Sequence, residues 1–320
     1  MRIRFSFLAL LACALIMLSG CATQTKALLS AAPADLPRQV ELKSTPFIAQ
    51  ARYQCGPAAL AMTLRAAGFA VDADALVSQV YLPQREGSLQ VEMLASARRN
   101  GAFSVRIAPR VDALVTELAG GRPVLVLQNL SLPFVPMWHY AVAIGYDLDR
   151  GDIILRSGTT ERMVMPMSTF ENTWARSGYW GMLTLAPGSL PATASDTAVL
   201  DALVAFEKNS RPADARRTYA LAVQRWPANT GLLLGLGNTS YAAGDREAAA
   251  DAFQRASVLR PDSGPAFNNL AATLMELGRL KDARAAAEKA VALGGPWRTA
   301  ALDTLASIER AEKSGKASPR

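Results

Sequence analysis

The stretch Gln50-Ala51-Arg52-Tyr53-Gln54-Cys55-Gly56-Pro57-Ala58-Ala59-Leu60 decides the reading of the first half of the chain. Proline at the third position after Gln54 suits the first turn of a helix, and Ala58 to Ala67 are strong helix formers with apolar positions at Leu60, Ala61 and Leu64. Gly68 supplies a C-terminal stop. Cys55 therefore sits at the N-terminus of a buried helix, where the dipole and free N–H groups favour a thiolate and can hold a developing oxyanion. The plain alternative is a structural cysteine packed as a small hydrophobe. Glycine and proline directly after it argue for a tight approach and an immediate helix instead.

Downstream, Pro123 to Leu127 reads as a buried strand. After a loop with Pro133 and Pro136, Trp138 to Tyr146 forms a second strand that opens on His139, and Asp152 to Arg156 completes an antiparallel hairpin. The chain contains one histidine and three cysteines, which excludes a disulfide framework and argues against a Cys/His zinc site. Any imidazole chemistry must use His139. A lone histidine downstream of a lone usable thiol is the order expected of a cysteine nucleophile with an imidazole base.

Residues 45–187 resemble the papain-like cysteine peptidases of the double-glycine leader family. The matching features are Gln50, the Cys55-Gly56-Pro57-Ala58-Ala59-Leu60 helix start, Gly121-Arg122-Pro123 before a strand, and His139-Tyr140 with its hairpin. The resemblance implies Cys55 as nucleophile, His139 as general base and Gln50 as side-chain donor to the oxyanion, acting on peptide or protein substrates without a metal or cofactor. Two departures stand out. The family's glutamine lies six residues before the cysteine, whereas Gln50 lies five before it and Gln54 directly precedes it, leaving either as donor. The family also orients its histidine with an aspartate after the next strand. Here that strand ends Leu155-Arg156-Ser157-Gly158, leaving Ser157, or Asp147 or Asp149 from the turn, to hold the ring.

The first twenty residues read as an address. Arg2 and Arg4 precede an apolar run from Leu8 to Leu18, shorter than the roughly 20 residues a membrane span needs. Leu18-Ser19-Gly20-Cys21 resembles the bacterial lipobox, which implies removal of 1–20, lipid attachment at Cys21 and anchoring on the periplasmic face of the envelope, at the outer membrane because Ala22 follows the cysteine. Residues 21–44 read as a tether. Cys13 would leave with the leader, making Cys55 the only free thiol of the mature protein.

From about residue 196 the pattern changes, after a linker at 188–195. Pro227 and Pro261 are 34 residues apart, as are Tyr219, Phe253 and Ala287, and Ala222, Ala256 and Ala290. Gly244 and Gly278 mark inter-helix turns, with Ser210 in their place in the first unit. This is the period and small–large–small pattern of tetratricopeptide repeats. Three units and a capping helix from Arg298 to about Glu312 span 196–312, and 313–320 reads as a disordered tail. Asn238, Asn268, Asn269 and Arg279 are candidates for a groove that takes a protein partner.

Half of the 320 residues are hydrophobic and 19% are charged, which excludes a largely disordered chain. The formal charge of +7 is mild, and with no Lys/Arg-dense patch it gives no case for nucleic acid. The expectation is an α+β papain-like cysteine peptidase domain followed by an all-α tetratricopeptide repeat solenoid. The competing expectation is an inactive, peptidase-like binding module acting as an envelope scaffold. Leu76, Val80, Val91 and Leu94 are expected to face the core from helices at 74–80 and 88–100, while Trp174, Tyr179 and Trp180 read as packing aromatics.

Overall fold

Strand β6, Trp138–Asp147, is the axis on which the first unit is built. Its alternating and then continuous apolar run buries everything from Tyr140 to Tyr146, as a strand covered on both faces requires. The structure is a computed structural model that describes residues 22–50 and 54–316. The leader 1–20, Cys21, residues 51–53 and the tail from 317 lie outside the described residues.

In chain order the first unit comprises α1 (Thr23–Ser30), β1 (Gln39–Glu41), α2 (Cys55–Ala66), α3 (Ala73–Val80), β2 (Tyr81–Leu82), β3 (Gly87–Ser88), α4 (Gln90–Arg99) and β4 (Phe103–Arg106). It continues with α5 (Val111–Ala119), β5 (Val124–Asn129), β6, β7 (Asp152–Ser157), β8 (Thr160–Pro166), α6 (Met167–Ala175) and β9 (Gly181–Leu185). The main sheet runs β4-β9-β5-β6-β7-β8, with β1 pairing the far end of β6. Along β5 and β6 the register places Gln128 opposite His139 and Leu127 opposite Tyr140. Helix α2 packs on β6 and buries every residue from Gly56 to Leu64. A Gly158 φ of +59° lets the chain reverse from β7 into β8 directly behind the start of β6.

Residues 22–44 are not a tether. Helix α1 has no cap of its own; buried Glu171 on α6 accepts the Gln24 and Thr25 backbone N–H groups at 3.1 and 2.7 Å. Gln24 in turn accepts from the Val111 amide at 2.8 Å, and Leu28 is buried. Strand β1 pairs Gln39 with Asp147 and Glu41 with Gly145. A Cβ on Gly145 would lie 2.2 Å from the Val40 carbonyl oxygen, so glycine is what admits β1 to the sheet. Val91 also departs from expectation, at 64% exposure. Gly87-Ser88 pairs with Tyr81-Leu82, which delays α4 to Gln90 and turns Met93, Ser96 and Ala97 inward instead. Leu76 and Val80 do face the core, and Trp174 and Trp180 are buried packing aromatics.

The second unit is a run of helical pairs: α7 (Asp196–Glu207) with α8 (Pro212–Arg225), α9 (Thr230–Ala242) with α10 (Arg246–Leu259), and α11 (Gly264–Glu276) with α12 (Leu280–Leu293). A long helix, α13 (Arg298–Lys316), follows, so residues 313–316 continue a helix rather than a disordered tail. Ala215, Ala249 and Ala283 are buried, as are Ala222, Ala256 and Ala290, letting paired backbones approach. The large residues between them are admitted by glycines on α9. A Cβ on Gly235 would meet the Tyr219 ring at 2.3 Å, and one on Gly237 would meet Phe253 at 2.3 Å. Gly244 and Gly278 hold φ values of +87° and +74° in the turns between paired helices. Ile308 of α13 joins the core of Phe253, Leu270 and Ala287.

Candidate active site

Helix α2 begins at Cys55 itself, and no side chain among the described residues caps it. Its first N–H groups thus have no intrahelical carbonyl to bond. The backbone N–H groups of Tyr140 and Gly56 are turned toward the Cys55 sulfur as donors and favour its thiolate. Contact with the Tyr140 amide places the sulfur beside the residue that follows His139. Burial nevertheless outweighs these bonds and pushes the thiol above its ordinary value of 9.0. The helix start alone suggested a depressed thiol; desolvation by burial reverses the sign. The β2–β3 hairpin crowds the site, for a Cβ on Gly56 would lie 2.3 Å from Ser88 Oγ.

His139 is the second residue of β6, and its ring is held from behind. Nε2 lies 2.9 Å from Ser157 Oγ at the end of β7. Of the three groups the sequence left open, Ser157 takes this place because β7 runs antiparallel to β6 and ends beside its start. Asp147 instead accepts the Asp149 and Arg150 amides, and Asp149 pairs with Arg38 at 2.7 Å. With no charge offsetting it, burial drives the His139 pKa below 6.5. Burial thus favours the uncharged form of each group, a thiol at Cys55 and a neutral imidazole at His139.

Gln50 bridges the two strands of the site. Its backbone amide donates to the Gly158 carbonyl at 3.0 Å, its Oε1 accepts from the Gly158 amide at 3.0 Å, and its Nε2 donates to the Tyr140 carbonyl at 3.1 Å. An N–H can only donate and a C=O only accept, so the orientation of the Gln50 amide follows from its partners. Among the described residues, the second Nε2 hydrogen has no partner. Gln50, Cys55, Ser88, Trp138, His139 and Tyr140 line one open cleft of about 790 Å³; Gln54 is not among the residues lining it. Ser88 Oγ is buried and has no hydrogen-bond partner among the described residues. The hairpin that supplies it was not visible in the sequence, because two-residue strands carry no periodicity.

In the second unit, Asn269 Nδ2 donates to Asn238 Oδ1 at 3.2 Å, and Thr304 Oγ1 donates to Asn268 Oδ1 at 2.9 Å. These amides join α9, α11 and α13 in one row. Arg279 instead pairs with Asp282 at 3.1 Å at the start of α12. Among the described residues no group of His, Cys, Asp and Glu side chains could hold a metal ion, and no helix is long and apolar enough to cross a membrane.

No curated protein matches the chain. Among solved structures, a C39-like peptidase candidate from Bacillus anthracis is 19% identical, spanning 47% of this chain and 98% of its own at a TM-score of 0.40. The Sgt2 TPR domain from Aspergillus fumigatus is 24% identical over 38% of this chain and 80% of its own, with a TM-score of 0.32. The Yersinia enterocolitica type III secretion chaperone SycD, in complex with a peptide of the translocator YopD, is 18% identical over 37% of this chain and 97% of its own, with a TM-score of 0.34. Residues 42–182, which carry the cleft, match the model of the Peptidase_C39 like family, so the chain couples an α+β C39-peptidase-like domain to a helical solenoid of the tetratricopeptide type.

Proposed function

We propose that the first unit is a cysteine peptidase that cleaves peptide or protein substrates by acyl transfer. The observation that carries this reading is the convergence of Cys55, His139 and Gln50 on one cleft, with Ser157 behind the ring. With Nε2–H donating to Ser157, Nδ1 of His139 keeps a lone pair for the thiol proton. The sulfur then attacks the substrate carbonyl, and the carbonyl electrons move onto an oxyanion held by the Cys55 amide and the spare Nε2 hydrogen of Gln50. The imidazolium passes its proton to the leaving amine as the C–N bond breaks. Water, deprotonated by His139, releases the acyl group and restores the thiol.

Ser157 in place of a carboxylate and a couple whose burial favours the uncharged forms support a second reading, a cradle that grips peptides without cutting them. Cys55→Ala discriminates the two. On the peptidase reading, it abolishes cleavage of a casein or mixed-peptide substrate and labelling by a thiol-reactive peptide probe, with the melting temperature little changed. Equal cleavage by parent and variant refutes the assignment, and a parent that neither cuts nor labels favours the cradle.

The solenoid recruits substrate or a protein partner, raising its effective concentration at the cleft; the Asn238–Asn269 row supports a backbone-binding groove. The Leu18-Ser19-Gly20-Cys21 motif supports lipid attachment at Cys21 and residence on the periplasmic face of the outer membrane. With α1 packed on the first unit directly after it, such an anchor would hold the domain against the bilayer without a spacer. Incorporation of an alkynyl fatty acid, lost in Cys21→Ser, tests this.

A further inference from the structure

The loop between β5 and β6 and the first residue of β6 expose Leu132, Phe134, Val135, Met137 and Trp138, with exposures from 51% at Trp138 to 79% at Phe134. Contiguous exposed apolar surface of this kind marks an interaction site. The loop is also tied down. Asn129 Oδ1 accepts from the Ser131 and Met137 amides at 3.0 and 2.8 Å, and the Leu130 amide donates to the Met137 carbonyl at 2.9 Å. Arg176 Nη1 donates to the Ser131 carbonyl at 2.8 Å, and Pro133 and Pro136 restrict the backbone between these bonds. The apolar side chains are therefore presented from a pre-organised base, which lowers the entropic cost of binding.

The inner part of this loop is the wall of the cleft. Pro136, Met137 and Trp138 line it, and Trp138 immediately precedes His139. The rest of the argument rests on the proposed acyl transfer. His139 must hand a proton to the leaving amine, so the leaving half of the substrate lies on the imidazole side, against Met137 and Trp138. The cleft lining contributed around β3 is by contrast mostly polar, with Arg85, Glu86, Ser88 and Gln90 beside Leu89. We infer that the 130–138 loop is the wall for the residues that follow the scissile bond, and that it selects polypeptide substrates with bulky apolar side chains there. The exposed Phe134 and Val135 directly precede the cleft-lining Pro136, Met137 and Trp138 on the same tied-down loop, which is why the occupant is substrate and not a bilayer.

The test is a randomised peptide library digested by the full chain, with cut sites read by mass spectrometry. Leu, Ile, Phe and Met should be enriched at the first two positions after the cut. Phe134→Ser with Val135→Ser should reduce kcat/KM for such peptides about tenfold, in line with the loss of a modest apolar contact. The melting temperature and the alkylation rate of Cys55 report that the fold and the thiol are intact. Cleavage without apolar enrichment, or enrichment unchanged in the loop variant, overturns the inference. So does a variant whose only defect is lost binding to phosphatidylethanolamine–phosphatidylglycerol vesicles. If the parent cuts nothing, the same library is selected for binding to the Cys55→Ala chain. Apolar peptides retained only with the intact loop would then sink the peptidase reading alone, and indifferent retention would sink both.

Discussion

Ser157→Asp restores a carboxylate to the position from which the imidazole is held. The Ser157 hydroxyl lies 2.9 Å from Nε2, and Ser157 is only 5% exposed, so a charge introduced there acts through little water. An opposite charge at such a range raises a histidine by about 1–3 pKa units. Each unit is about 1.4 kcal/mol, a tenfold change in favour of the imidazolium–thiolate form. The starting point is a His139 depressed below 6.5 by burial and a Cys55 pushed above 9.0, so the parent holds little thiolate at neutral pH. The variant should bring His139 back to or above its ordinary value and accelerate iodoacetamide alkylation of Cys55 about tenfold or more at neutral pH. His139 is the only histidine in the chain, so a single imidazole resonance in a proton–carbon NMR correlation reports the titration without assignment. Ser157→Asn, similar in shape and uncharged, should leave both readouts near the parent's. A His139 titration unmoved by the aspartate would show that position 157 does not govern the ring, and the account of the site would fail.

Other consequences are open to simpler measurements. Gln50→Ala orphans the Gly158 amide and the Tyr140 carbonyl, which should cost about 1–3 kcal/mol in urea unfolding and lower cleavage together. Unchanged stability would mean that water replaces the bridge at no cost. Gly237→Ala puts a methyl into the Phe253 ring, and about 1–3 kcal/mol of overpacking should exceed the roughly 1 kcal/mol that alanine returns in helix propensity. In a Phe253→Leu background the same change should become neutral or stabilising, a sign reversal that a double-mutant cycle by thermal unfolding would read. Acidification supplies the last. Because the folded His139 pKa lies below its unfolded value, the unfolded chain binds more protons as pH falls through 6.5, so stability drops in that window. Urea midpoints taken from about pH 8 to about pH 5 should fall less for His139→Asn than for the parent; parallel curves would contradict a buried neutral imidazole.

Much of the architecture could be read from spacing. The 34-residue recurrence of Ala215, Tyr219 and Ala222 in later units marks helical pairs, because each unit must bury the same face against its neighbour. The Cys55-Gly56-Pro57 start and the strand opening on His139 were equally visible, since helix caps and apolar strands are local signals. What escaped was non-local. The cap of α1 is Glu171, far along the chain, and β1 enters the sheet only because Gly145 lacks a side chain. A short segment with no internal period, 22–44, therefore passes for a tether until its partners are known. Val91 escaped for a related reason, since the β2–β3 pairing that sets the phase of α4 involves two residues on each side.

The sequence alone determined which chemistry was available: one imidazole, one thiol at a helix start, and a repeat whose alanines allow close helix packing. Tertiary structure decided how that chemistry is disposed. It chose Ser157 over Asp147 and Asp149 to face His139, because antiparallel pairing brings the end of β7 to the start of β6. It also set the resting charge of the couple. The helix terminus favours a thiolate, but burial of the sulfur pushes the other way, and burial is a property of the packed fold that the sequence around Cys55 does not carry.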